Sequence, residues 1–244
     1  MSKLTGKCVL VTGGGSGIGL AVARRCLDAG ARVAITGRDE AKLRRAAEEL
    51  KGGDRLIHRA ADVSEVEQVR AMVADVTARL GWIDVLVNNA GLNIKERTFA
   101  ELDPERWRLL LGANLDGAYY CMAEVIPQMK ARGQGLVINV NSIAGKRANP
   151  LGGPAYAAAK FGLRGLAMAV AAEERTSGIR ISNIYPGEVN TPILDQRPNP
   201  VSDEHRQSIL QPDDVAAAVL FIAALPPHVA IPELVVTPAR TQYI

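Results

Sequence analysis

Hydrophobic positions along the chain form short apolar runs that alternate with longer segments of helical periodicity. The apolar runs predict strands at 7–13, 31–37, 55–63, 83–91, 135–145, 179–187 and 233–238. Apolar positions three and four residues apart predict helices at 18–30, 39–53, 64–81, 103–133, 154–176 and 212–225. A Ser64-x-x-Glu67 capping box is expected to open the third helix, and Asp103 followed by Pro104 the fourth.

Strands that alternate with helices predict βαβ units and a parallel sheet covered by helices on both faces. No linker, repeat or change of composition divides the chain, so residues 1–244 are expected to form one doubly wound α/β domain. The segment 187–211 carries no clear periodicity and is longer than a normal connection. Long loops in compact domains are usually functional.

Charge and composition narrow the class of protein. A net charge of +3 without a Lys/Arg run argues against nucleic-acid binding. No apolar stretch reaches the roughly 18 residues that span a bilayer, and the N-terminus lacks the pattern of a signal peptide. Three separated cysteines indicate free thiols in a reducing compartment, and the three histidines follow no metal-ligand spacing. We therefore expect a cytoplasmic protein without a metal site.

A glycine-rich turn lies between the first strand and the first helix, in the sequence VTGGGSGIGLAVA at 11–23. Gly13, Gly17 and Gly19 permit a tight turn and a close approach of the backbone to phosphate. The helix N-terminus adds free N–H groups and the positive end of a dipole. This is the place where a dinucleotide pyrophosphate binds in a doubly wound sheet. The alternative is a plain strand-to-helix turn.

A second candidate is the pair Tyr156 and Lys160 in GGPAYAAAKFG at 152–162. The two side chains are four residues apart, so they share one face of a helix. By itself the pair is also compatible with an ordinary surface helix.

Six motifs occur in one order along the whole chain: TGGGSGIG at 12–19, NNAG at 88–91, Asn114, Ser142, YAAAK at 156–160 and PGEVNT at 186–191. Together they resemble the short-chain dehydrogenase/reductase family. The resemblance implies a Rossmann fold and an NAD(P)-dependent enzyme that interconverts a small-molecule alcohol and carbonyl. It also implies a homodimer or homotetramer, with helices 103–131 and 154–175 packing on their copies.

The resemblance implies a role for each matching residue. Tyr156 is expected to be the general acid/base, Ser142 a hydrogen-bond donor to the substrate oxygen, Lys160 a ligand of the nicotinamide ribose, and Asn114 the holder of a relay water. The expected cofactor-binding residues are Gly13, Ser16, Gly17, Ile18, Gly19, Arg38, Asp62, Val63, Asn89, Ala90, Gly91, Tyr156, Lys160, Pro186, Gly187, Val189 and Thr191. The alternative for Asp62 is an ordinary negative charge at a helix N-terminus. The alternative for the NNAG turn at 88–91 is a purely structural role.

Tyr156 needs help to act as a base, because the pKa of a free tyrosine is about 10. Lowering this pKa by about 3 units requires about 4 kcal/mol. A cation about 4 Å away in an effective dielectric of about 20 supplies about that energy. We therefore expect Lys160 to lower the pKa of Tyr156.

Cofactor choice depends on the end of the second strand. Gly37 stands where an NAD enzyme of this fold usually carries Asp or Glu, and Arg38 follows it. Arg38 could pair with the 2′-phosphate of NADP, although Asp39 is next to it. The sequence thus favours NADP over NAD. The alternative is that Arg38 is an ordinary surface arginine at a helix start.

Substrate identity is not encoded in any motif. The pocket is expected between the 92–98 turn, the 143–152 loop and a substrate loop at 192–211. Ser142 and Tyr156 are 14 residues apart, one more than the family usually shows, so the loop between them is expected to differ in shape. Two alternatives stay open: an epimerase or dehydratase on the same scaffold, and a dinucleotide sensor without turnover.

Overall fold

The computed structural model describes residues 4–240, in which seven strands form one parallel sheet. The strands are β1 (Cys8–Thr12), β2 (Arg32–Gly37), β3 (Leu56–Ala60), β4 (Val85–Asn88), β5 (Gly135–Val140), β6 (Ile179–Pro186) and β7 (Glu233–Val236). They lie in the order β3-β2-β1-β4-β5-β6-β7, and every pair is parallel. The direction of winding reverses between β1 and β4, so the predicted doubly wound sheet is confirmed.

Helices cover both faces of this sheet. They are α1 (Gly17–Asp28), α2 (Glu40–Leu50), α3 (Val66–Leu80), α4 (Pro104–Leu111), α5 (Gly117–Ala131), α6 (Pro154–Glu173), α7 (Asp203–Ser208) and α8 (Pro212–Ala223). Side chains alternate along each strand: Val9 and Val11 pack in one core with α1 and α8, whereas Cys8 and Leu10 pack in the other with α3 and α5. No helix within residues 4–240 is both long enough and apolar enough to cross a membrane.

The region 103–133 is not one continuous helix as predicted. Asp103 caps α4 as expected, but α4 ends at Leu111 and a π-helical turn over Gly112–Asp116 precedes α5. The cause lies in Asn114, whose amide nitrogen donates to the carbonyl oxygens of Leu110 at 2.8 Å and Leu92 at 2.9 Å. A side chain that bonds backbone groups inside and outside the helix widens the turn at that point.

The predicted capping box at Ser64 is also wrong. Helix α3 begins at Val66, and Glu65 occupies the N-cap position without a side-chain cap bond. The Ser64 hydroxyl instead donates to Asp62 Oδ1 at 2.7 Å, and the Ser64 backbone N–H donates to the same oxygen at 2.9 Å. This local Asx turn competes with helix initiation and delays it by two residues.

The segment 187–211 is more ordered than its sequence predicted. It contains a 3₁₀ turn at Pro192–Gln196 and the short helix α7, which Ser202 caps by accepting from the backbone N–H of His205. An isolated bridge pairs Val189 with Leu210 and brings the two ends of the segment together. The segment therefore forms a closed excursion between β6 and α8.

Candidate active site

The glycine-rich turn after β1 has the geometry that its sequence predicts. Gly13 and Gly17 have φ values of +66° and +53°, which favour glycine. A Cβ atom on Gly19 would lie 2.3 Å from the carbonyl oxygen of Gly13, so no larger residue fits there. The Ser16 side chain does not cap α1, which leaves N–H groups at this helix N-terminus for another acceptor. The arrangement fits a bound pyrophosphate.

Asn89 and Ala90 lie against this turn, at the end of β4. The Asn89 amide nitrogen donates to the carbonyl oxygens of Thr12 at 2.9 Å and Gly13 at 3.2 Å. The Thr12 hydroxyl accepts from the backbone N–H groups of Asn89 and Ala90, both at 3.0 Å. The first two motifs of the sequence are thus one hydrogen-bonded unit. The Asn89 side chain supports the turn, which is the structural alternative that the sequence left open.

The residues predicted to meet the adenosine end lie at the carboxyl ends of β2 and β3. The Arg38 side chain is 59% exposed, and its Nη1 lies 3.9 Å from Asp62 Oδ2. Asp39 does not pair with Arg38 here; its carboxylate caps α2 by accepting from the backbone N–H of Lys42. Val63 is buried and packs closely against Gly117 at the start of α5.

The segment after β6 reaches back to the glycine-rich turn. Gly187 donates from its backbone N–H to the carbonyl oxygen of Val236 at 2.7 Å, which fixes the direction of the chain after Pro186. Val189 is buried. The position of a Cβ on Gly17 lies 3.2 Å from Thr191 Cγ2, so Thr191 lies at the N-terminus of α1. Gly17 of the glycine-rich turn and Thr191 of the segment after β6, both predicted to bind the cofactor, therefore lie next to each other.

Tyr156 and Lys160 lie on the first two turns of α6, next to the end of β5. The Lys160 Nζ lies 5.6 Å from the centroid of the Tyr156 ring and donates to the carbonyl oxygen of Val140 at 3.4 Å. Lys160 is only 4% exposed. Ser142 lies close enough to Tyr156 to lower the pKa of its hydroxyl, so the longer spacing between these residues does not separate them. Asn114 and Lys160 both lie beside Gly91, whose Cβ position is 2.7 Å from Asn114 Oδ1 and 3.7 Å from Lys160 Nζ.

The electrostatics of this pair differ from the sequence expectation. Burial raises the pKa of Tyr156, and the hydrogen bond from Ser142 and the positive charge of Arg97 only partly oppose this effect. Burial also lowers the pKa of Lys160 to about 8. The protein thus keeps Tyr156 protonated at neutral pH. Lys160 was expected to lower the pKa of Tyr156, but this pKa is raised, because desolvation of the phenol outweighs the effects of Ser142 and Arg97.

Arg97 is a residue of this site that the sequence reasoning missed. It is 5% exposed, in the turn that follows Gly91. Its side chain donates to the carbonyl oxygens of Ile94 at 2.6 Å and Leu151 at 3.0 Å, and to that of Gln196. The sequence placed the 92–98 turn at the substrate pocket, but no motif distinguished Arg97 from the other residues of that turn.

The structure therefore gathers Asn114, Ser142, Tyr156 and Lys160 at the carboxyl ends of β4 and β5, and the glycine-rich turn at the end of β1. Arg38 and Asp62 lie on the far side of β1. Within residues 4–240, no group of three His, Cys, Asp or Glu side chains could hold a metal ion, and Cys8, Cys26 and Cys121 are buried free thiols.

Comparison with known proteins identifies relatives of the whole chain. The chain is 34% identical over 220 residues to a D-beta-hydroxybutyrate dehydrogenase of Rhizobium meliloti, which covers 88% of this chain and 83% of the relative. A crystal structure of a metagenomic short-chain oxidoreductase in complex with NADP is 34% identical, with a TM-score of 0.84 over 98% of this chain and all of that one. A 3-ketoacyl-(acyl-carrier-protein) reductase from Brucella melitensis, complexed with NADH, is 33% identical, with a TM-score of 0.88 over 97% of this chain and 99% of that one.

The family model of the short chain dehydrogenases matches residues 7–201, which include all six motifs. This match, the relatives and the parallel sheet agree with one another. The chain belongs to the short-chain dehydrogenase/reductase family of oxidoreductases.

Proposed function

We propose that this protein interconverts a small carbonyl compound and its alcohol with NADP(H) as preferred cofactor, and that Tyr156 exchanges the proton with the substrate oxygen. The observation that carries the proposal is the cluster of half-buried Tyr156 and Ser142 with buried Lys160, which lies beside a glycine-rich turn. A nicotinamide cofactor, when bound, supplies or accepts the hydride.

Carbonyl reduction needs a proton donor, and Tyr156 is suited to that role. Its raised pKa keeps the hydroxyl protonated at neutral pH. As the substrate carbon gains a hydride, the Tyr156 hydroxyl gives its proton to the substrate oxygen and becomes a phenolate. Ser142 donates a hydrogen bond to the same oxygen and helps to hold it in place.

Lys160 has two tasks in this proposal. Its ammonium stabilises the phenolate, since it lies 5.6 Å from the centre of the Tyr156 ring. It would also hold the nicotinamide ribose hydroxyls. Because the pKa of Lys160 is about 8, this amine can also pass a proton at near-neutral pH, and Asn114 next to Gly91 would hold a relay water.

The remaining groups would bind the cofactor. The backbone of the Gly13–Gly19 turn would hold the pyrophosphate, and Val189 and Thr191 the nicotinamide end. Arg38 would pair with the 2′-phosphate, because its guanidinium is exposed and has only a distant acidic neighbour at 3.9 Å. Of the two related structures described above, one is in complex with NADP and the other with NADH. Relatives therefore do not decide between the two cofactors, and the proposed preference for NADP depends on Arg38.

A direct test follows NADPH and NADH oxidation with a panel of aldehydes, ketones and oxoesters, and NADP⁺ and NAD⁺ reduction with the matching alcohols. Tyr156→Phe should lower turnover by roughly 100-fold or more, the usual scale for a general acid–base group. Cofactor affinity should change little, since the ring is kept. The matched control is Tyr119→Phe on α5, whose side chain is 51% exposed.

Two outcomes would contradict the proposal. Near-normal turnover in Tyr156→Phe would remove Tyr156 from the proton transfer. Tight cofactor binding by the parent without turnover on any compound would instead identify a dinucleotide sensor.

A further inference from the structure

Arg97 connects three separate segments around Tyr156. Its Nε donates to Ile94 in its own turn, its Nη1 to Leu151 in the loop before α6, and its Nη2 to Gln196 in the 3₁₀ turn after β6. These are the three segments that the sequence predicted to line the substrate pocket. A nearby bond from the Asn93 amide nitrogen to the carbonyl oxygen of Gly152, at 3.0 Å, ties the first two together a second time.

The charge of Arg97 is not neutralised by a carboxylate. Its side chain donates to three backbone carbonyl oxygens. No acidic residue among 4–240 forms an ion pair with Arg97 within 4 Å. The nearby Arg197 is itself paired with Glu188 at 2.5 Å. Burying a cation without a counter-charge is costly. The buried guanidinium of Arg97 creates a fixed positive potential, which would stabilise an anion that forms nearby.

We propose that Arg97 is a positioning residue, which holds the three loops around Tyr156 and stabilises the negative charge of its phenolate. This inference rests on the proposed function, in which Tyr156 exchanges the proton. Gly152, which follows the Leu151 that Arg97 binds, lies against Tyr156: the position of a Cβ on Gly152 is 3.5 Å from Tyr156 Cδ1. The electrostatic effect between Arg97 and Tyr156 is reciprocal. The charge of Arg97 lowers the pKa of Tyr156, and Tyr156 raises the pKa of Arg97 against the larger effects of burial and of Arg197.

Arg97 differs from Lys160 in the range of pH over which it is charged. The charged groups near Tyr156 are Lys160 from its own helix and Arg97 from the 92–98 turn, and Arg197 lies near Arg97. Glu188 pairs with Arg197 and also contacts His205. Because the pKa of Lys160 is about 8, its ammonium loses charge at the pH where a tyrosine begins to ionise. A guanidinium stays charged throughout that range.

The experiment measures the ionisation of Tyr156 directly. Phenolate absorbance is recorded against pH for the parent, Arg97→Gln, Arg97→Lys and the control Lys95→Gln, each as a difference from the same protein carrying Tyr156→Phe. The difference isolates Tyr156 from the other tyrosines. Lys95→Gln removes an exposed cation from the same turn. Circular dichroism and thermal unfolding verify that each variant is folded.

Loss of the charge should raise the pKa of Tyr156 by about one unit in Arg97→Gln, the scale expected for a charge several ångströms away in a partly buried site. Arg97→Lys keeps the charge and should stay within about 0.3 units of the parent, as should Lys95→Gln. Arg97→Lys should still show a raised substrate KM, because an ammonium cannot bridge all three loops. In the direction of alcohol oxidation, the pH profile of kcat should move with the pKa of Tyr156 in Arg97→Gln.

Each result decides the inference. An unchanged Tyr156 pKa in Arg97→Gln would overturn it, and an equal shift in Arg97→Gln and Arg97→Lys would reduce Arg97 to a packing role. If Arg97→Gln does not fold, Arg97→Met replaces it as the neutral variant. If neither neutral variant folds, a shift of a full unit in Arg97→Lys still overturns the electrostatic role. The absorbance measurement needs no turnover, so a protein without redox activity but with the expected shift would reject the proposed function and leave this inference standing.

Discussion

The cofactor preference that we propose depends on one side chain just after β2. Arg38 is 59% exposed, and its Nη1 lies 3.9 Å from Asp62 Oδ2. An ion pair this long and this exposed contributes little to stability. Arg38 can therefore leave Asp62 for a phosphate with little loss, which is what a 2′-phosphate ligand requires.

Arg38→Ala should lower the preference for NADP over NAD. A charged hydrogen bond contributes about 1.5–3 kcal/mol, so the ratio of kcat/KM for NADP to that for NAD should fall roughly 10- to 150-fold. The exposed Arg44 on α2 provides a matched control, and Arg44→Ala should leave the ratio unchanged. A parent that prefers NAD, or a ratio that Arg38→Ala does not move, would show that Arg38 does not bind the 2′-phosphate.

Single residues were predictable from the sequence where a short motif fixes their neighbours. Tyr156 and Lys160 are four residues apart on one helix, so helix geometry alone brings them together. Arg97 is different, because its burial comes from Leu151 and Gln196, which are 54 and 99 residues away along the chain. No local pattern records such contacts, and an arginine in a turn is usually exposed. The raised pKa of Tyr156 escaped prediction for the same reason, since desolvation depends on packing from several segments.

The π-helical turn between α4 and α5 is held by one buried side chain. Asn114 is 1% exposed. Its amide group donates to the carbonyl oxygens of Leu92 and Leu110 and accepts from the backbone N–H of Leu92 at 3.3 Å. The turn thereby joins the helix pair to the chain that follows β4, next to Lys160.

Asn114→Ala should destabilise the protein by about 2–4 kcal/mol, because buried backbone groups of Leu92 and Leu110 lose their partners. The measurement is urea unfolding at neutral pH. Asn199→Ala, in the exposed part of the loop after β6, serves as control and should change the free energy of unfolding by less than about 0.5 kcal/mol. A loss of similar size in both variants would contradict a specific role of Asn114 in this turn.

Element boundaries were predictable where the capping residue has no competing partner. Asp103 caps α4 as its sequence predicts, by accepting from the backbone N–H of Arg106. Ser64 failed as a cap because Asp62, two residues earlier, accepts its hydroxyl and its backbone N–H. The break inside 103–133 was hidden because α4 and α5 both have the expected periodicity. A single amide that bonds outside the helix is enough to interrupt them.

Strand β7 is joined to its neighbours by one carboxylate. Glu233 accepts from Lys146 at 2.6 Å, from Arg164 of α6 at 2.9 Å and from the hydroxyl of Tyr185 in β6 at 2.6 Å. Burial acts to raise the pKa of Glu233, but these three hydrogen bonds outweigh it and lower the pKa to about 2. The cluster therefore favours the ionised form of Glu233 in the folded state.

Glu233 should make stability depend on pH in the acidic range. Above pH 4.5 the carboxylate is ionised in both states, and its stabilisation is fully present. As the pH falls toward about 2, the unfolded state takes up the proton first and the stabilisation is lost. Glu233→Gln should thus cost about 2 kcal/mol at pH 7 and progressively less below pH 4.5, as measured by urea unfolding at several pH values.

The control for Glu233→Gln is Glu48→Gln on the exposed face of α2. Its effect should be small and should not vary with pH between 7 and 4 beyond about 0.3 kcal/mol. A cost of Glu233→Gln that stays constant over this range would mean that the ionised carboxylate is not what stabilises β7.

The sheet as a whole was predictable because each buried parallel strand appears as a continuous apolar run between helices. The order of the strands was not predicted, because it depends on which strands pair across the sheet and no local pattern records that. The exposed apolar surface of the helices was harder to predict from the sequence. Five large apolar residues on α4, α5 and α6 are between 40% and 54% exposed: Trp107, Leu109, Tyr119, Phe161 and Met168.

These five side chains, called the apolar patch here, lie on helices that the sequence predicted to pack on copies of themselves. Helix α4 packs on α6, so the patch spans neighbouring elements. A Cβ on Gly165 of α6 would meet no atom within 4 Å, so the backbone there is open to close approach. Exposed apolar side chains on neighbouring helices are characteristic of protein interfaces, and the occupant that we propose is a second copy of the chain.

Light scattering at micromolar concentration should therefore give the mass of a dimer or a tetramer. Phe161→Asp combined with Met168→Asp places two charges in the patch, and their desolvation cost on association should shift the protein to a smaller species. Trp82→Ser removes an aromatic side chain of similar exposure, 53%, just before β4 at the opposite end of the strands. It should leave the mass unchanged. A monomeric parent would refute the assembly, and an oligomer unaffected by the two aspartates would place its interface elsewhere on the molecule.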